Sequence, residues 1–153
     1  MEQYRYSTAG LTLTKDFEGL RLEAYKDAAG VWTIGYGHTG DEVRQGQRIT
    51  PQQAEALLQT DLQAAVFCVQ RVVTAPLTQG QFDALVDFCF NAGQGALERS
   101  TLLAKVNRLE FEEAATEFAR WDKSGGKRCP GLSRRRAAEA TLFRNTQSAT
   151  VSA

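Results

Sequence analysis

Apolar side chains recur at helical spacing through most of this chain, but the stretch from Gly19 to Gly46 breaks the rhythm. The clearest helix begins at Thr50-Pro51-Gln52-Gln53, where threonine suits the N-cap and proline the first helical position. Ala54, Leu57, Leu58, Leu62, Ala65, Val66 and Val69 then follow a 3.6-residue period. Carried to about Val73, such a helix is roughly 35 Å long at about 1.5 Å per residue, enough to join two lobes. Upstream, Thr8 can cap a helix whose apolar positions Leu11, Leu13 and Phe17 lead to a stop at Gly19. Downstream, Thr78-Gln79-Gly80-Gln81 opens a helix through Phe82, Leu85, Val86, Cys89 and Phe90 to Gly93. Shorter helices are predicted from Ser100 to Asn107, from Phe111 to Trp121 and from about Ser133 to Asn145, with residues 123–131 as a loop between the last two. The tail from Gln147 reads as frayed.

The break in the rhythm is β-like. Glycines punctuate the segment, and Val31-Trp32-Thr33-Ile34 favours a strand. Asp27-Ala28-Ala29-Gly30 suits a type I turn, with Asp first and Gly fourth. Residues 22–36 therefore read as a hairpin and about 20–48 as a small β lobe. The expected architecture is a single α+β domain over 1–153. It has the β lobe, a connecting helix over about 50–75, and a helical lobe over about 76–146 on which the helix 8–19 packs. A cleft between lobes is a favoured ligand site, and Glu18 would stand at the junction.

Composition narrows the class without naming it. The chain has 153 residues, 42% hydrophobic and 24% charged, with 18 basic and 18 acidic side chains. There are 7 basic and 9 acidic residues up to Pro76, and 11 and 9 beyond it. So slight a bias argues against nucleic acid as a partner. No run approaches the roughly 20 apolar residues of a membrane span, and the start, Met1 to Tyr6, lacks the pattern of a secretory signal. The expectation is a chain made in a reducing cytosol that does not insert into membranes. Cys68, Cys89 and Cys129 are odd in number and lack a CxxC spacing, against both a disulfide framework and a zinc site. Cys68 and Cys89 sit among apolar neighbours, where a thiol behaves as a small core residue.

The candidate chemistry gathers in residues 18–38. Glu18 would fall in a helix's last turn, facing the negative end of the macrodipole, an environment that suits a proton donor. Asp27 would stay ionised by accepting backbone N–H bonds in its turn, which is also what a general base requires. Thr33 could hold a water beside it. Each has an ordinary structural role as well: a surface glutamate, a turn aspartate, a strand threonine. His38, the single histidine, reads as structural and paired with an acidic residue, and Gly35-Tyr36-Gly37 before it permits a tight backbone turn. Arg134-Arg135-Arg136 is either a solvated face or a source of one inward guanidinium. Phe88 and Phe90 must point in different directions on a helix. Trp32 and Trp121 suit either a core or a sugar-stacking surface.

Taken jointly, Glu18-x8-Asp27-x5-Thr33 followed by Ile34-Gly35-Tyr36-Gly37-His38 resembles the phage-type lysozymes, endolysins that hydrolyse bacterial peptidoglycan. Arg21, Tyr25, Lys26, Gly30, Thr50-Pro51, Phe90-Asn91-x-Gly93, Ser100-Thr101-Leu102 and Pro130-Gly131-Leu132-x-Arg134-Arg135-Arg136 extend the likeness across residues 8–145. The resemblance implies a lysozyme-like fold and a muramidase that cuts the β-1,4 bond between N-acetylmuramic acid and N-acetylglucosamine with inversion. Glu18 would be the catalytic acid, Asp27 the carboxylate acting on water and Thr33 its helper. Inverting glycosidases generally hold their two carboxyl groups roughly 6.5–9.5 Å apart. Phe90, Thr101 and Arg135 would contact substrate or the acid, and Gly30, Gly35, Gly37 and His38 would support the site. No cofactor or metal is implied. The implied setting is a monomer in the host cytoplasm, released to the cell wall through a holin-type pore. Lytic transglycosylation with one Glu, and peptidoglycan binding without catalysis, are the competing readings.

Overall fold

A computed structural model describes residues 4–145; the predicted frayed tail lies outside them. Seven α-helices and five short strands occur among these residues. The chain divides into two compact units: residues 14–63, and the residues up to Leu13 together with those from Ala64 onward. The division falls inside the first helix and inside the long one.

The unit 14–63 contains the end of α1 (Thr8–Glu18), strands β1 (Arg21–Lys26), β2 (Trp32–Gly35) and β3 (His38–Thr39), and the first part of α2 (Pro51–Val72). The strands form one antiparallel sheet in the order β1-β2-β3. Tyr25 pairs with Thr33 and Lys26 with Trp32, and Thr33 pairs in turn with Thr39. Ile34, Val43, Ala54, Leu58 and Leu62 are buried and supply its apolar core. At Gly35 (φ +68°) an added Cβ would lie 3.4 Å from both Ala54 Cβ and Ile49 Cδ1, so the strand's end lies close to the start of α2. Thr50 caps α2 as expected. Gln53 N–H donates to Thr50 Oγ1 (3.1 Å), and Thr50 N–H donates to Gln53 Oε1 (2.8 Å), a reciprocal capping box.

The other unit is helical: α3 (Gln79–Ala92), α4 (Gln94–Arg99), α5 (Thr101–Asn107), α6 (Phe111–Glu117) and α7 (Pro130–Arg144). Every residue of α3 from Gly80 to Cys89 is buried, the polar Gln81, Asp83 and Asp87 among them. α3 packs most extensively on α7. Around them Phe88, Phe118, Trp121 and Phe143 make edge-on ring contacts at 5.5–5.8 Å between centroids. The N-terminal segment is anchored here. The Tyr4 ring stacks on Phe82 at 5.1 Å, while its hydroxyl donates to Leu77 O and accepts from Leu77 N–H.

Four expectations are corrected in detail. Ser7, not Thr8, caps α1, because its hydroxyl accepts from Gly10 N–H (3.2 Å) and is itself tied to Asp83. The helix from Phe111 stops at Glu117 and tightens into a 3₁₀ turn, Phe118–Arg120. The expected loop 123–131 contains a two-stranded hairpin, β4 (Lys123–Ser124) with β5 (Lys127–Arg128). The last helix starts at Pro130 rather than Ser133, using proline in its first turn. No helix among the described residues is long and apolar enough to cross a membrane.

Thr78 forms a second capping box, at the start of α3 with Gln81. Thr78→Ala is expected to cost about 1 kcal/mol, measurable by equilibrium urea denaturation with an unchanged slope.

Candidate active site

The β1–β2 connection is built by Asp27. Gly30 N–H donates to Asp27 O (2.9 Å) and Asp27 N–H donates to Val31 O (2.9 Å), closing a three-residue hairpin loop. Gly30 takes φ +82°, the left-handed conformation this loop requires and glycine adopts without a Cβ clash. The Asp27 carboxylate completes the turn: Oδ1 accepts from Ala29 N–H (2.8 Å) and Val31 N–H (2.9 Å). Both bonds fall on one oxygen, so the carboxylate is held in one orientation with Oδ2 outside the turn's hydrogen bonds.

Thr33 follows on β2, only 4% exposed. Its hydroxyl donates to Val31 O (2.9 Å), which commits its proton and leaves its lone pairs as acceptors. Val31 thus serves both residues, its N–H held by Asp27 and its carbonyl by Thr33. Glu18 is the last residue of α1, as predicted, and Gly19 carries the chain away at φ +73°. The Glu18 carboxylate lies against the β2–β3 turn: a Cβ built on Gly37 (φ +82°) would meet Glu18 Oε1 at 2.8 Å. Gly37 therefore meets two demands at once, a left-handed backbone and the absence of a side chain where the carboxylate rests.

His38 is held between two carboxylates. Its Nδ1 lies 2.8 Å from Asp61 Oδ2 and its Nε2 2.6 Å from Glu42 Oε1, with the side chain 13% exposed. Burial alone would pull its pKa down, but hydrogen bonds to Glu42 and Asp61 outweigh it, and the value is raised from 6.5. The same contact lowers the Glu42 carboxyl. The acidic partner foreseen for this histidine is in fact a pair.

Phe90, Thr101 and Arg135 lie in the helical unit. Phe90 is half-buried near the end of α3 while Phe88 is fully buried, so the two phenylalanines separate as their spacing requires. Thr101 is exposed at the start of α5, just after its cap Ser100. In the arginine run Arg134 is exposed, whereas Arg135 and Arg136 are buried. Arg135 makes a two-pronged contact with Asp87, Nε to Oδ2 at 2.9 Å and Nη2 to Oδ1 at 2.8 Å. Arg136 donates to Glu139 Oε1 (2.9 Å) and to Asn91, over the Phe88 ring. Sequence reasoning missed Asp87 and Glu139. Acidic residues inside otherwise apolar helical faces were the available signal, and the arginine run was its complement.

Comparison with solved structures gives the fold class. The chain matches the muramidase domain of SpmX from Asticaccaulis excentricus at 45% identity and TM-score 0.85, over 92% of this chain and 98% of that one. It matches the endolysin from Escherichia coli O157:H7 phage FAHEc1 at 37% identity and TM-score 0.88, over 92% and 94%. The fold is α+β and lysozyme-like. The phage lysozyme family model matches residues 15–139, and the chain belongs to that family. Against the endolysin of Bacillus phage B103 it is 49% identical over 95% of its own length, but spans 56% of that relative.

The His38 contacts predict a pH dependence. Since its folded-state pKa lies above the unfolded value, the protonated ring contributes stability that is whole below about 6.5 and lost as pH rises through the folded pKa. Melting temperature should fall across that upper range, and His38→Asn should flatten the fall. An equal slope in both proteins would assign it elsewhere.

Proposed function

We propose that this chain is a muramidase that hydrolyses the β-1,4 bond between N-acetylmuramic acid and N-acetylglucosamine in bacterial peptidoglycan, with inversion. The observation that carries the reading is the pairing of a turn-held Asp27 carboxylate with a buried Thr33 hydroxyl across the Val31 peptide. Family membership and the endolysin names of its relatives support the substrate.

In this mechanism Glu18 gives its proton to the glycosidic oxygen as the leaving sugar departs. A water held by Asp27 and Thr33 attacks the anomeric carbon from the opposite face. Thr33 Oγ1, its own proton engaged by Val31 O, accepts one hydrogen bond from that water. Asp27 accepts the other and takes the proton as the new C–O bond forms. A lone pair of the water then faces the sugar. Glu18 ends ionised and Asp27 protonated, and exchange with solvent resets both. Two carboxyl groups with opposite tasks suffice, and no cofactor enters. A water-positioning pair is superfluous for transglycosylation, in which the sugar's own hydroxyl closes the ring. Phe90 and Thr101 are assigned to glycan contact and Arg135 to the acid's surroundings. The wider assignment is a monomer made in the host cytoplasm and reaching the wall through a holin-type pore. Host lysis that needs a co-expressed holin would check the last point.

Glu18→Gln and Asp27→Asn should each reduce clearing of chloroform-treated Gram-negative cells by roughly 10²–10⁴-fold, the usual scale of general acid–base catalysis. Thr33→Ala should lower kcat more than it changes KM. Mass spectrometry of the digest should show reducing-end muropeptides; anhydro-sugars in their place would assign a transglycosylase. Equal clearing by wild type and Glu18→Gln would remove Glu18 from the chemistry. Gly37→Ala, which crowds Glu18 Oε1, should impair turnover while the helical unit stays folded by near-UV circular dichroism.

A further inference from the structure

The helical unit has an open cavity of about 350 Å³ whose polar lining can only donate hydrogen bonds. Five elements meet there: Asn91 comes from the end of α3, Arg99 from the end of α4, Arg120 and Trp121 from the 3₁₀ turn, Lys123 from β4 and Arg136 from α7. Aliphatic side chains complete the wall, and no carboxylate lines it. Guanidinium, ammonium and indole groups carry donors and no acceptor. Asn91 could supply an acceptor, but its Oδ1 already takes the Arg136 guanidinium, which leaves the amide Nδ2 to donate. Arg136 is 1% exposed, so this part of the lining is fixed by burial. Charge points the same way. Arg120 is paired with Glu117, while Lys123 and Arg128, opposite each other in the β4–β5 hairpin, share Asp122. Arg99 forms no ion pair among the described residues; its guanidinium lies over the Trp121 ring, 5.8 Å from the centroid. Four cations of this cluster therefore share two carboxylates, an excess of two positive charges.

We propose that this cavity binds a phosphate monoester carried on a sugar, at a site that the chemistry described above does not use. A lining of donors rejects groups that must themselves donate and matches a group whose oxygens only accept. A carboxylate would bring one negative charge. A phosphate monoester brings close to two at neutral pH, with three strong acceptor oxygens, and so matches the excess on the protein. Arginine's planar fork suits phosphate, and stacking on Trp121 holds that of Arg99 before the ligand arrives. The side chains of Arg120 and Lys123 are 75% and 61% exposed, so both can turn onto the ligand without giving up core packing. The cavity is larger than a phosphate alone and falls within the range of small-molecule sites, about 300–1,000 Å³. The sugar bearing the phosphate then rests against the indole and the aliphatic wall. Every residue of the site belongs to the helical unit, and none carries a step of the glycosidic reaction.

The experiment uses the full chain carrying Trp32→Phe, in which Trp121 is the tryptophan that remains and its fluorescence reports the cavity. N-acetylglucosamine 6-phosphate should change that fluorescence saturably, and inorganic phosphate should compete with it. N-acetylglucosamine and acetate, at matched ionic strength, should do neither in the same concentration range. Arg99→Gln should weaken binding of the sugar phosphate roughly tenfold, the scale of one hydrogen bond to a charged group, and added salt should weaken it further. In the unsubstituted chain, the same titration followed by nitrogen-15 NMR should move the Trp121 indole and Asn91 side-chain amide signals, a readout that survives any disturbance by Trp32→Phe. The proposal is overturned if the neutral sugar gives the same response, if acetate competes as well as phosphate, if Arg99→Gln binds like its parent, or if the signals never saturate. None of these readouts depends on muramidase activity.

Discussion

The peptide of Val31 is the fixed point of the β unit. Its N–H holds Asp27 Oδ1, while its carbonyl takes both the Asp27 N–H and the Thr33 hydroxyl. Hairpin closure and side-chain placement are therefore a single set of hydrogen bonds. The register that follows puts Thr33 opposite Tyr25 and carries β2 into the glycines that precede His38. There Gly37 takes a left-handed backbone (φ +82°), and a Cβ at that position would displace the Glu18 carboxylate that rests against it. The Val31 side chain is 45% exposed, so the constraint belongs to the backbone and tolerates other residues at that position.

The helical unit depends on a different kind of order. Asp87 and Glu139 are fully buried, opposite Arg135 and Arg136. Removing four charged groups from water is costly, and such clusters persist when geometry and extra hydrogen bonds compensate. Here the fit is looser than at Arg135 and Asp87: Glu139 Oε2 lies 4.0 Å from Arg135 Nε, longer than a hydrogen bond. Burial raises the Glu139 carboxyl well above 4.5, and its hydrogen bond with Asp87 acts the same way. The network then joins α3 to α7 with directional bonds where apolar contact alone would allow the helices to slide.

Much of this was legible in the chain because local chemistry decided it. Thr50-Pro51 and Thr78 announce their helices, and Asp27 to Gly30 spell out the turn that forms. The spacing of Glu18, Asp27 and Thr33 places them at a helix end, a hairpin turn and a strand, where they are found. Tertiary partners decided the rest. Ser7 displaces Thr8 as a cap because Asp83, distant in sequence, also engages it. The arginine run could be read two ways until Asp87 and Glu139 selected Arg135 and Arg136 and left Arg134 in water. Likewise, a histidine in a glycine-rich segment says nothing about Asp61 on a helix still to come.

The division of the chain also sets an order of events during synthesis. Residues 14–63 interrupt the helical unit, whose first part ends at Leu13 and whose remainder begins at Ala64. The β unit can close on contacts among neighbours in sequence, whereas Tyr4 must wait for Leu77 and Phe82, and α3 for α7. Closing such long loops costs entropy before their contacts repay it. A ribosome emitting this chain would thus release the segment bearing the two carboxylates ready to fold early, while the core that anchors the N-terminus is completed only as α7 emerges.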